Sequence, residues 1–317
     1  MPATPRSSRY GICTGRTGAG GDSGFLPRHP GARGYDFQMT TRTVILAALL
    51  AVAIVAAGAA WWLFAGRAAH AAVVVTEHAE AELVAARDAA EPGRPLLAAL
   101  RLKAKHGWHT YWRNPGDSGQ PTSIEWQLPA GFTAGAIRWP VPQRLPIGPL
   151  ANYGYEGEVL LASEIHVPAD AKGPVRLAAR ARWLVCNPEH CIPEQGEVQL
   201  VLPVRAATPG KWVAAFDAIR LPQAAPAQWK LSARREGGDV LLEVIGIEET
   251  TLAFFPYDEG KVQHAARQQL ERSGTGVRLA IPVSAQPVGE FARLTGVLVT
   301  GGGHAFEIDV PVMATPG

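Results

Sequence analysis

Two cysteines, Cys186 and Cys191, are separated by four residues in the stretch WLVCNPEHCIPEQG, with prolines both between them and just after them. Paired thiols at this spacing can form a local disulfide, contribute to a metal site, or exchange disulfides with another protein. The choice among these three decides most of what the sequence says about function.

The short spacing favours exchange over a purely structural disulfide. A bond between the two cysteines would close a loop of about six residues, worth roughly 2 kcal/mol in the chain-entropy model. Immunoglobulin-type disulfides join opposite sheets across many tens of residues, whereas this one would tie a turn to itself. A short dithiol loop also lets one thiolate attack a partner's disulfide while its neighbour resolves the mixed intermediate. The structural disulfide stays open as an alternative.

Charged neighbours bear on the reactivity of the pair. His190, when protonated, would favour a thiolate beside it, whereas Glu189 and Glu194 would oppose one. We therefore interpret His190 and Glu194 as residues that tune the thiolate. Cys186, Cys191 and His190 supply three metal ligands at most, so we expect no metal ion and no bound cofactor.

The N-terminus is typical of an export signal rather than of a folded domain. Residues 1–38 are rich in glycine, arginine and serine, so we expect a disordered or untranslated extension, which includes Cys13. In residues 39–71 an arginine precedes the apolar run 44–64, and the segment ends in Ala-His-Ala, which a signal peptidase accepts. About 21 apolar residues also suffice to span a bilayer. The segment is either a cleaved signal peptide or a membrane anchor, and we expect the body in the periplasm.

The body of the chain carries little net charge. Residues 1–71 hold seven arginines and two aspartates, so the formal net charge of +2 leaves about −3 for residues 72–317. A near-neutral body without a basic stripe argues against nucleic-acid binding. With 47% hydrophobic and 18% charged residues, the chain has enough apolar side chains for one or two globular cores.

The pattern after the export segment predicts two β-domains. In residues 72–205, short runs alternate apolar and polar residues between proline- and glycine-rich breaks, which predicts an immunoglobulin-like β-sandwich. Residues 206–227 are expected to form a helix and a linker, with Thr208 as the helix cap. β-patterns return in residues 228–317 and predict a second, smaller β-sandwich. The expected fold class is therefore all-β.

Two further stretches are rich in aromatic residues. In GWHTYWRNPGDSGQPT, the aromatics are expected in the core or at a sheet edge, and His109 is expected to be a hydrogen-bonded structural residue. In NYGYEGEV, Tyr153 and Tyr155 lie on a glycine-bounded segment that leads into a strand. They are either edge aromatics or a lid that shields the sulfurs from oxidants.

In this order and spacing, GWHTYWRNPGDSGQPT, YGYEGEV and WLVCNPEHCIPE resemble the N-terminal periplasmic domain of the DsbD family of thiol:disulfide interchange proteins, most closely its ScsB-type branch. The resemblance covers residues 72–205 well and residues 206–317 more loosely. It implies an immunoglobulin-like domain whose Cys186 and Cys191 relay electrons as a component of a protein-disulfide reductase. It also implies a cap loop over the sulfurs at the position of Tyr153 and Tyr155.

The resemblance also implies partners. In the family, a thioredoxin-like domain fed by a membrane domain reduces the cysteines, which then reduce periplasmic isomerases and cytochrome c maturation factors. By analogy, Cys191 is the sulfur that engages partners. The sequence given contains neither of those two further domains. We therefore expect either a standalone relay, which depends on thioredoxin-like periplasmic proteins and a membrane electron carrier, or a fragment of a longer product.

A different class of function stays open beside the relay. In this alternative the chain is a non-catalytic binding module, the disulfide is a local clamp, and the aromatic side chains form a partner surface. The partner-surface aromatics would be Trp108, Tyr111, Trp112, Tyr153 and Tyr155.

Overall fold

In the described part of the chain, residues 73–274 and 276–314 of a computed structural model, nearly all of the regular secondary structure is β-strand. The all-β fold class predicted from the sequence is therefore confirmed. The predicted extension at 1–38 and the signal or anchor segment at 39–71 lie outside the described residues. Among the described residues, no helix is long and apolar enough to cross a membrane.

The first eleven strands form two facing sheets, which we call the first sandwich. One sheet has five strands and the other has six, and every pairing in them is antiparallel. In chain order the strands are β1 (Val74–Val75), β2 (Ala79–Ala85), β3 (Leu96–Ala104), β4 (His109–Gly116), β5 (Ser123–Gln127), β6 (Thr133–Ala134), β7 (Gln143–Ile147), β8 (Leu150–Glu156), β9 (Glu158–His166), β10 (Val175–Cys186) and β11 (Cys191–Leu202). The five-stranded sheet has the order β1-β2-β3-β9-β6. The six-stranded sheet has the order β11-β10-β4-β8-β7, with β5 paired to β10.

Side chains from both sheets meet in one apolar core, as expected when alternate residues of each strand point inward. Leu100, Leu102 and Leu161 come from the five-stranded sheet, and Trp112 and Trp183 from the six-stranded sheet. All five are at most 3% exposed. The faces turned away from this core carry the remaining alternate positions of each strand, and one of those faces carries the cysteines.

The remaining eight strands form the second sandwich. They are β12 (Gln223–Ala224), β13 (Lys230–Glu236), β14 (Asp239–Ile245), β15 (Leu252–Pro256), β16 (Gln269–Ser273), β17 (Gly276–Pro282), β18 (Arg293–Thr300) and β19 (Ala305–Met313). Their order is β15-β18-β19-β13-β14-β17-β16, with β12 on β19. The two halves of this curled sheet join where β19 runs parallel to β13, and they enclose an apolar core that includes Leu242, Phe254, Leu279 and Leu298.

The two sandwiches also pack against each other. Phe255, Val297 and Ala305 of the second sandwich belong to the same buried cluster as Trp112 and Tyr153 of the first. The Tyr153 ring meets the Phe255 ring edge to face, with 5.1 Å between the ring centroids. Packing of this kind holds β15, β18 and β19 of the second sandwich against the first sandwich.

The connection between the sandwiches contains one short helix, α1 (Val213–Asp217). Its buried residue is Phe216, which packs on the outer side of the five-stranded sheet against Val84 and Leu160. The Thr208 cap predicted from the sequence is wrong, because the helix begins five residues later. The Thr208 backbone N–H and hydroxyl donate instead to the Asp88 carboxylate, at 2.8 and 2.9 Å.

Candidate functional site

The cysteine pair closes the hairpin made by β10 and β11. These two strands pair in continuous register from Val175 opposite Leu202 to Cys186 opposite Cys191. The last two residues lie directly across the ladder, with 4.1 Å between their Cα atoms, so their side chains point to the same face. Their sulfurs are joined in a disulfide.

Local hydrogen bonds hold the four-residue connection at the end of the hairpin. The side-chain oxygen of Asn187 accepts hydrogen bonds from the backbone N–H groups of Glu189 (2.8 Å) and His190 (2.6 Å). The Asn187 backbone N–H donates to the His190 carbonyl oxygen at 2.9 Å. Pro193 is tolerated in β11 because this is an edge strand, where a missing N–H costs no ladder bond. The loop is thus ordered by contacts that do not depend on the disulfide.

The two cysteines differ in their exposure to solvent. Cys186 is only 1% exposed, and its strand is bordered on the other side by His109 of β4. Cys191 lies in the edge strand β11 and is exposed. A thiolate on another protein can therefore approach Cys191, whereas the sheet shields Cys186.

Tyr111 of β4 places its hydroxyl group beside the disulfide, 3.9 Å from the Sγ atom of Cys191. The side-chain Nδ2 of Asn152 donates a hydrogen bond to the same hydroxyl oxygen at 3.2 Å. Because a disulfide sulfur carries no proton, the Tyr111 O–H is the donor and the sulfur accepts. Burial raises the pKa of Tyr111 to about 12, partly offset by the Asn152 hydrogen bond, so the phenol keeps its proton at neutral pH.

Glycines at two neighbouring positions leave room for the Tyr111 ring and strand. A Cβ atom on Gly119, whose φ is +112°, would lie 2.2 Å from the ring. Gly154 of β8 lies opposite Tyr111 of β4, and a Cβ atom on it would lie 2.0 Å from the Thr110 carbonyl oxygen. A side chain at either position would displace the tyrosine or separate the two strands.

His109 lies directly opposite Cys186 in the neighbouring strand and is 4% exposed. Its ring meets the Tyr111 ring edge to face, with 5.2 Å between the centroids. Burial lowers the pKa of His109 below its ordinary value, and the Glu156 carboxylate opposes this shift. The imidazole is therefore neutral at pH 7, and its Nε2 atom has no hydrogen-bond partner among the described residues. The hydrogen-bonded structural histidine expected from the sequence is therefore not seen at this nitrogen among the described residues.

The structure places Tyr153 and Tyr155, the predicted lid, on the opposite face of this sheet. Both belong to the core between the sheets, and the Tyr155 hydroxyl donates to the Pro140 carbonyl oxygen at 2.8 Å. Successive residues of a strand point to opposite faces, so these core-facing tyrosines point away from the face that carries Cys186 and Tyr111. The tyrosine hydroxyl recorded in contact with the disulfide is that of Tyr111.

The two residues predicted to tune the thiolate lie in different surroundings. His190 is exposed in the hairpin connection, and its Nδ1 atom is 3.9 Å from the Glu189 carboxylate. Glu194 is buried on the core face, where it accepts hydrogen bonds from the Thr76 hydroxyl (2.5 Å), the His78 backbone N–H (3.2 Å) and the Trp183 indole N–H (3.1 Å). Its carboxylate also lies 2.9 Å from the His78 Nδ1 atom. These contacts tie the start of the first sandwich to β11.

Metal binding finds no support in the part of the chain that the structure describes. No group of three or more histidine, cysteine, aspartate or glutamate side chains is arranged there to hold an ion. The chemistry available at the site is that of the sulfurs and the neighbouring phenol, imidazole and amide groups.

The sequence indicated Tyr111 only as a partner-surface aromatic of the binding-module alternative, and it did not indicate Asn152 as a site residue. The only signal was that His109 and Tyr111, two residues apart in a strand, must share one face. That this face is also the face of the cysteines depends on the pairing of β4 with β10, which joins residues more than seventy positions apart and leaves no local pattern.

Taken together, the geometry defines a class of protein: a β-sandwich domain with a disulfide at the exposed end of one hairpin. Residues 80–203 match the family model for the N-terminal domain of the thiol:disulfide interchange protein DsbD. The resemblance drawn from the sequence motifs is thereby confirmed for this part of the chain, and the cysteine pair lies within a domain type associated with thiol–disulfide exchange.

Among solved structures, the chain is similar to the N-terminal periplasmic domain of ScsB from Proteus mirabilis. The two share 17% sequence identity with a TM-score of 0.57, and the match covers 75% of this chain and 97% of the other. The likeness shows that the two share a fold. It spans more of the chain than the match to the family model does.

Two further structures match with much lower similarity. They are the YadV chaperone (11% identity, 72% of this chain and 98% of that chain, TM-score 0.19) and SGBP-B of the Bacteroides ovatus mixed-linkage glucan utilization locus (12% identity, 73% and 45%, TM-score 0.15). TM-scores this low carry no argument. No curated protein sequence matches the chain.

Proposed function

We propose that the protein is a periplasmic thiol–disulfide exchange component that relays electrons through Cys186 and Cys191. Electrons would come from a membrane carrier or thioredoxin-like protein and pass to disulfide-containing periplasmic partners, such as isomerases and cytochrome c maturation factors, with no bound cofactor. The observation that carries the proposal is the asymmetric disulfide, with one buried and one exposed cysteine at the open end of a hairpin. Periplasmic location rests on the export pattern at 39–71 and on the domain type.

The exchange step follows from that asymmetry. A thiolate of the reductant attacks the Sγ atom of Cys191, the disulfide breaks, and Cys186 leaves as a thiolate that takes up a proton. The second thiol of the reductant then attacks the mixed disulfide and releases Cys191. Two electrons have passed to the pair. In the forward relay, Cys191 attacks the partner's disulfide and Cys186 resolves the intermediate.

The surroundings of Cys191 suit this role. The Tyr111 hydroxyl, 3.9 Å from the sulfur, can donate to the thiolate that forms when Cys191 is released. A cavity of about 430 Å³ lies on the same hairpin, and its lining includes Leu184 and Pro193, which face each other two residues along the hairpin from the cysteines. A partner that reaches Cys191 therefore meets an open cavity on the same hairpin.

The weak structural value of the disulfide also favours exchange. The bond closes a six-residue loop, worth about 2 kcal/mol. The strands on either side are already paired in register over their full lengths, and the Asn187 side chain orders the connection. The hairpin can therefore keep its fold in the dithiol state.

A trapping experiment tests the proposal. The purified protein is equilibrated with glutathione or dithiothreitol at graded potentials, its free thiols are alkylated, and the products are weighed by mass spectrometry. We expect a single two-electron transition of the Cys186–Cys191 pair. In the second arm, Cys186→Ser and Cys191→Ser variants react with an oxidised thioredoxin-like protein.

The second arm distinguishes the two cysteines. Cys186→Ser leaves the exposed Cys191 of the pair and should accumulate a mixed disulfide there, whereas Cys191→Ser leaves only the buried thiol of the pair, which should react at least tenfold more slowly. A pair that stays oxidised at potentials where glutathione reacts would overturn the proposal. If, in addition, the double serine variant lost stability but kept a binding partner, the result would support the binding-module alternative.

A further inference from the structure

Asn114 connects the second sandwich to the strand that carries Tyr111. It is fully buried, and its side-chain Nδ2 donates to the carbonyl oxygens of Pro256 (2.9 Å) and Asp258 (3.0 Å) in the second sandwich. Its Oδ1 atom accepts a hydrogen bond from the Gly116 N–H at 3.0 Å. Both donor positions and the acceptor of this amide are thus used, on two different sandwiches.

The acceptor side of Asn114 orders a bend in β4. The pairing of β4 with β8 is interrupted between Tyr111 and Gly116. After the bend, the Asp117 carboxylate accepts from the Ala151 N–H at 2.8 Å, and the Asp117 N–H donates back to the Ala151 carbonyl oxygen at 3.0 Å. The segment that leaves β4 is therefore fastened again to the start of β8.

The same segment reaches the tyrosine beside the cysteines. The side-chain Oδ1 of Asn152 accepts from the Ser118 backbone N–H (3.3 Å) and hydroxyl (3.0 Å), and its Nδ2 donates to the Tyr111 hydroxyl (3.2 Å). Gly119 lies against the Tyr111 ring. A continuous set of contacts thus runs from the backbone of the second sandwich to the phenol at the Cys191 sulfur.

We propose that Asn114 is a positioning residue through which the second sandwich sets the place of the Tyr111 hydroxyl at the cysteine pair. The proposal rests on the proposed exchange function and assigns the second sandwich a part in it. Asn114 acts only through Tyr111, because it contacts neither sulfur. Its removal releases the bend at residues 114–119 and, with it, the hydrogen bond that stabilises the Cys191 thiolate.

The first sandwich offers a matched control at Arg144. Its guanidinium also bridges the two sandwiches, donating to the carbonyl oxygens of His264 (3.0 Å) and Ala265 (2.6 Å). Among the described residues, the hydrogen bonds of Arg144 go to His264 and Ala265 and not to residues 114–119. The Arg144→Ala variant therefore removes a tie between the sandwiches while it leaves the path from Asn114 to Tyr111 in place.

A double-mutant cycle in the full chain tests the proposal, with dithiothreitol as the probe. Its readouts are the equilibrium constant and rate of reduction of the disulfide and the pH dependence of Cys191 alkylation. We expect Tyr111→Phe and Asn114→Ala each to disfavour the reduced form by about fivefold, the effect of one ordinary hydrogen bond. The double variant should match Tyr111→Phe alone, and Arg144→Ala should stay within twofold of the wild type.

Three outcomes would overturn the proposal: additive effects in the double variant, no effect of Asn114→Ala, or an equal effect of Arg144→Ala. If Asn114→Ala does not fold, Asn152→Ala breaks the same path one step nearer the tyrosine and is scored by the same cycle. Failure of the proposed function would show differently, as a wild-type disulfide that dithiothreitol reduces but thioredoxin-like proteins do not.

Discussion

The two sandwiches differ in what they bury. In the second sandwich the core consists of aliphatic and aromatic side chains such as Leu242, Phe254 and Leu279. The polar side chains it buries among the described residues are His264 and Thr300, whereas the first sandwich buries more of them, and three, His109, Asn114 and Asn152, lie on or beside the strands that border the cysteines. Buried polar groups cost free energy unless they are partnered, so their concentration at one end indicates where the molecule maintains a defined chemical environment.

The largest expected effect is a loss of stability in the apolar core of the second sandwich. Leu242→Ala should lower the free energy of unfolding by about 2–5 kcal/mol, because it leaves a cavity at a fully buried position. The reduction equilibrium of the Cys186–Cys191 pair in the folded protein should not change. Urea unfolding and dithiothreitol titration measure the two quantities.

Ile245→Ala is the matched control for this prediction. Ile245 lies in the same strand, β14, but is 37% exposed, so its truncation should cost much less. If Leu242→Ala changes the reduction equilibrium of the cysteine pair, the second sandwich is not merely a scaffold for the cysteine site in the first.

The next prediction concerns the buried carboxylate of Glu194. Glu194→Leu leaves the His78 N–H and the Trp183 indole without their acceptor and leaves the Thr76 hydroxyl only the Ala79 carbonyl oxygen, which should cost about 2 kcal/mol of stability in urea unfolding. Glu197→Leu, an exposed glutamate in the same strand, is the control and should have little effect. If Glu194 also tunes the thiolate, the pH profile of Cys191 alkylation will shift in Glu194→Leu, and an unchanged profile would contradict that role.

A smaller effect is expected in the acid response, to which each sandwich contributes one buried histidine. Burial lowers the pKa of both His109 and His264; the Glu156 carboxylate opposes the shift at His109, and Asp117 opposes it at His264 while Arg144 adds to it. The unfolded chain binds these protons near the ordinary value of about 6.5, so the unfolded state gains protons first as the pH falls. The free energy of unfolding should therefore fall as the pH drops below about 6.5 and on through the folded pKa values.

Single variants separate the two histidines. His109→Gln and His264→Gln should each flatten the pH dependence of urea unfolding between pH 7 and 5. A steeper dependence in His109→Gln would mean that this imidazole is charged in the folded protein, contrary to its burial. If only His264→Gln flattens the pH dependence of unfolding, the acid sensitivity arises in the second sandwich alone and His109 does not contribute to it.

The sequence was sufficient for the fold class, the short-range geometry and the family resemblance. Alternating apolar residues predicted the strands, and the spacing of Cys186 and Cys191 predicted a local pair, because these features depend on neighbours along the chain. Neighbours along the chain could not show which tyrosine lies beside the sulfurs. Tyr111, Tyr153 and Tyr155 all occur in alternating strands, and only the non-local pairing of β4 with β10 decides which of them shares the cysteine face.

The same limit applies to the connection between the sandwiches. Thr208 was expected to cap the helix in residues 206–227, but α1 begins at Val213, and the Thr208 N–H and hydroxyl donate instead to Asp88, 120 residues away. The partners of Asn114 in the second sandwich are equally remote in sequence. Long-range polar contacts are the part of this structure that pattern reasoning does not reach.

The smallest expected effects lie on the surfaces, where the two sandwiches should be alike. Arg182 pairs with Glu125 on the first sandwich, and Arg293 pairs with Asp309 on the second; each pair is about half exposed. Exposed ion pairs contribute little because water and salt screen them, so Arg182→Ala and Arg293→Ala should each change the free energy of unfolding by less than about 1 kcal/mol. Urea unfolding at low and high salt measures both. A loss of several kcal/mol for Arg182→Ala alone would mean that surface charge stabilises the cysteine hairpin. The two sandwiches would then differ in their surface ion pairs and not only in their buried polar groups.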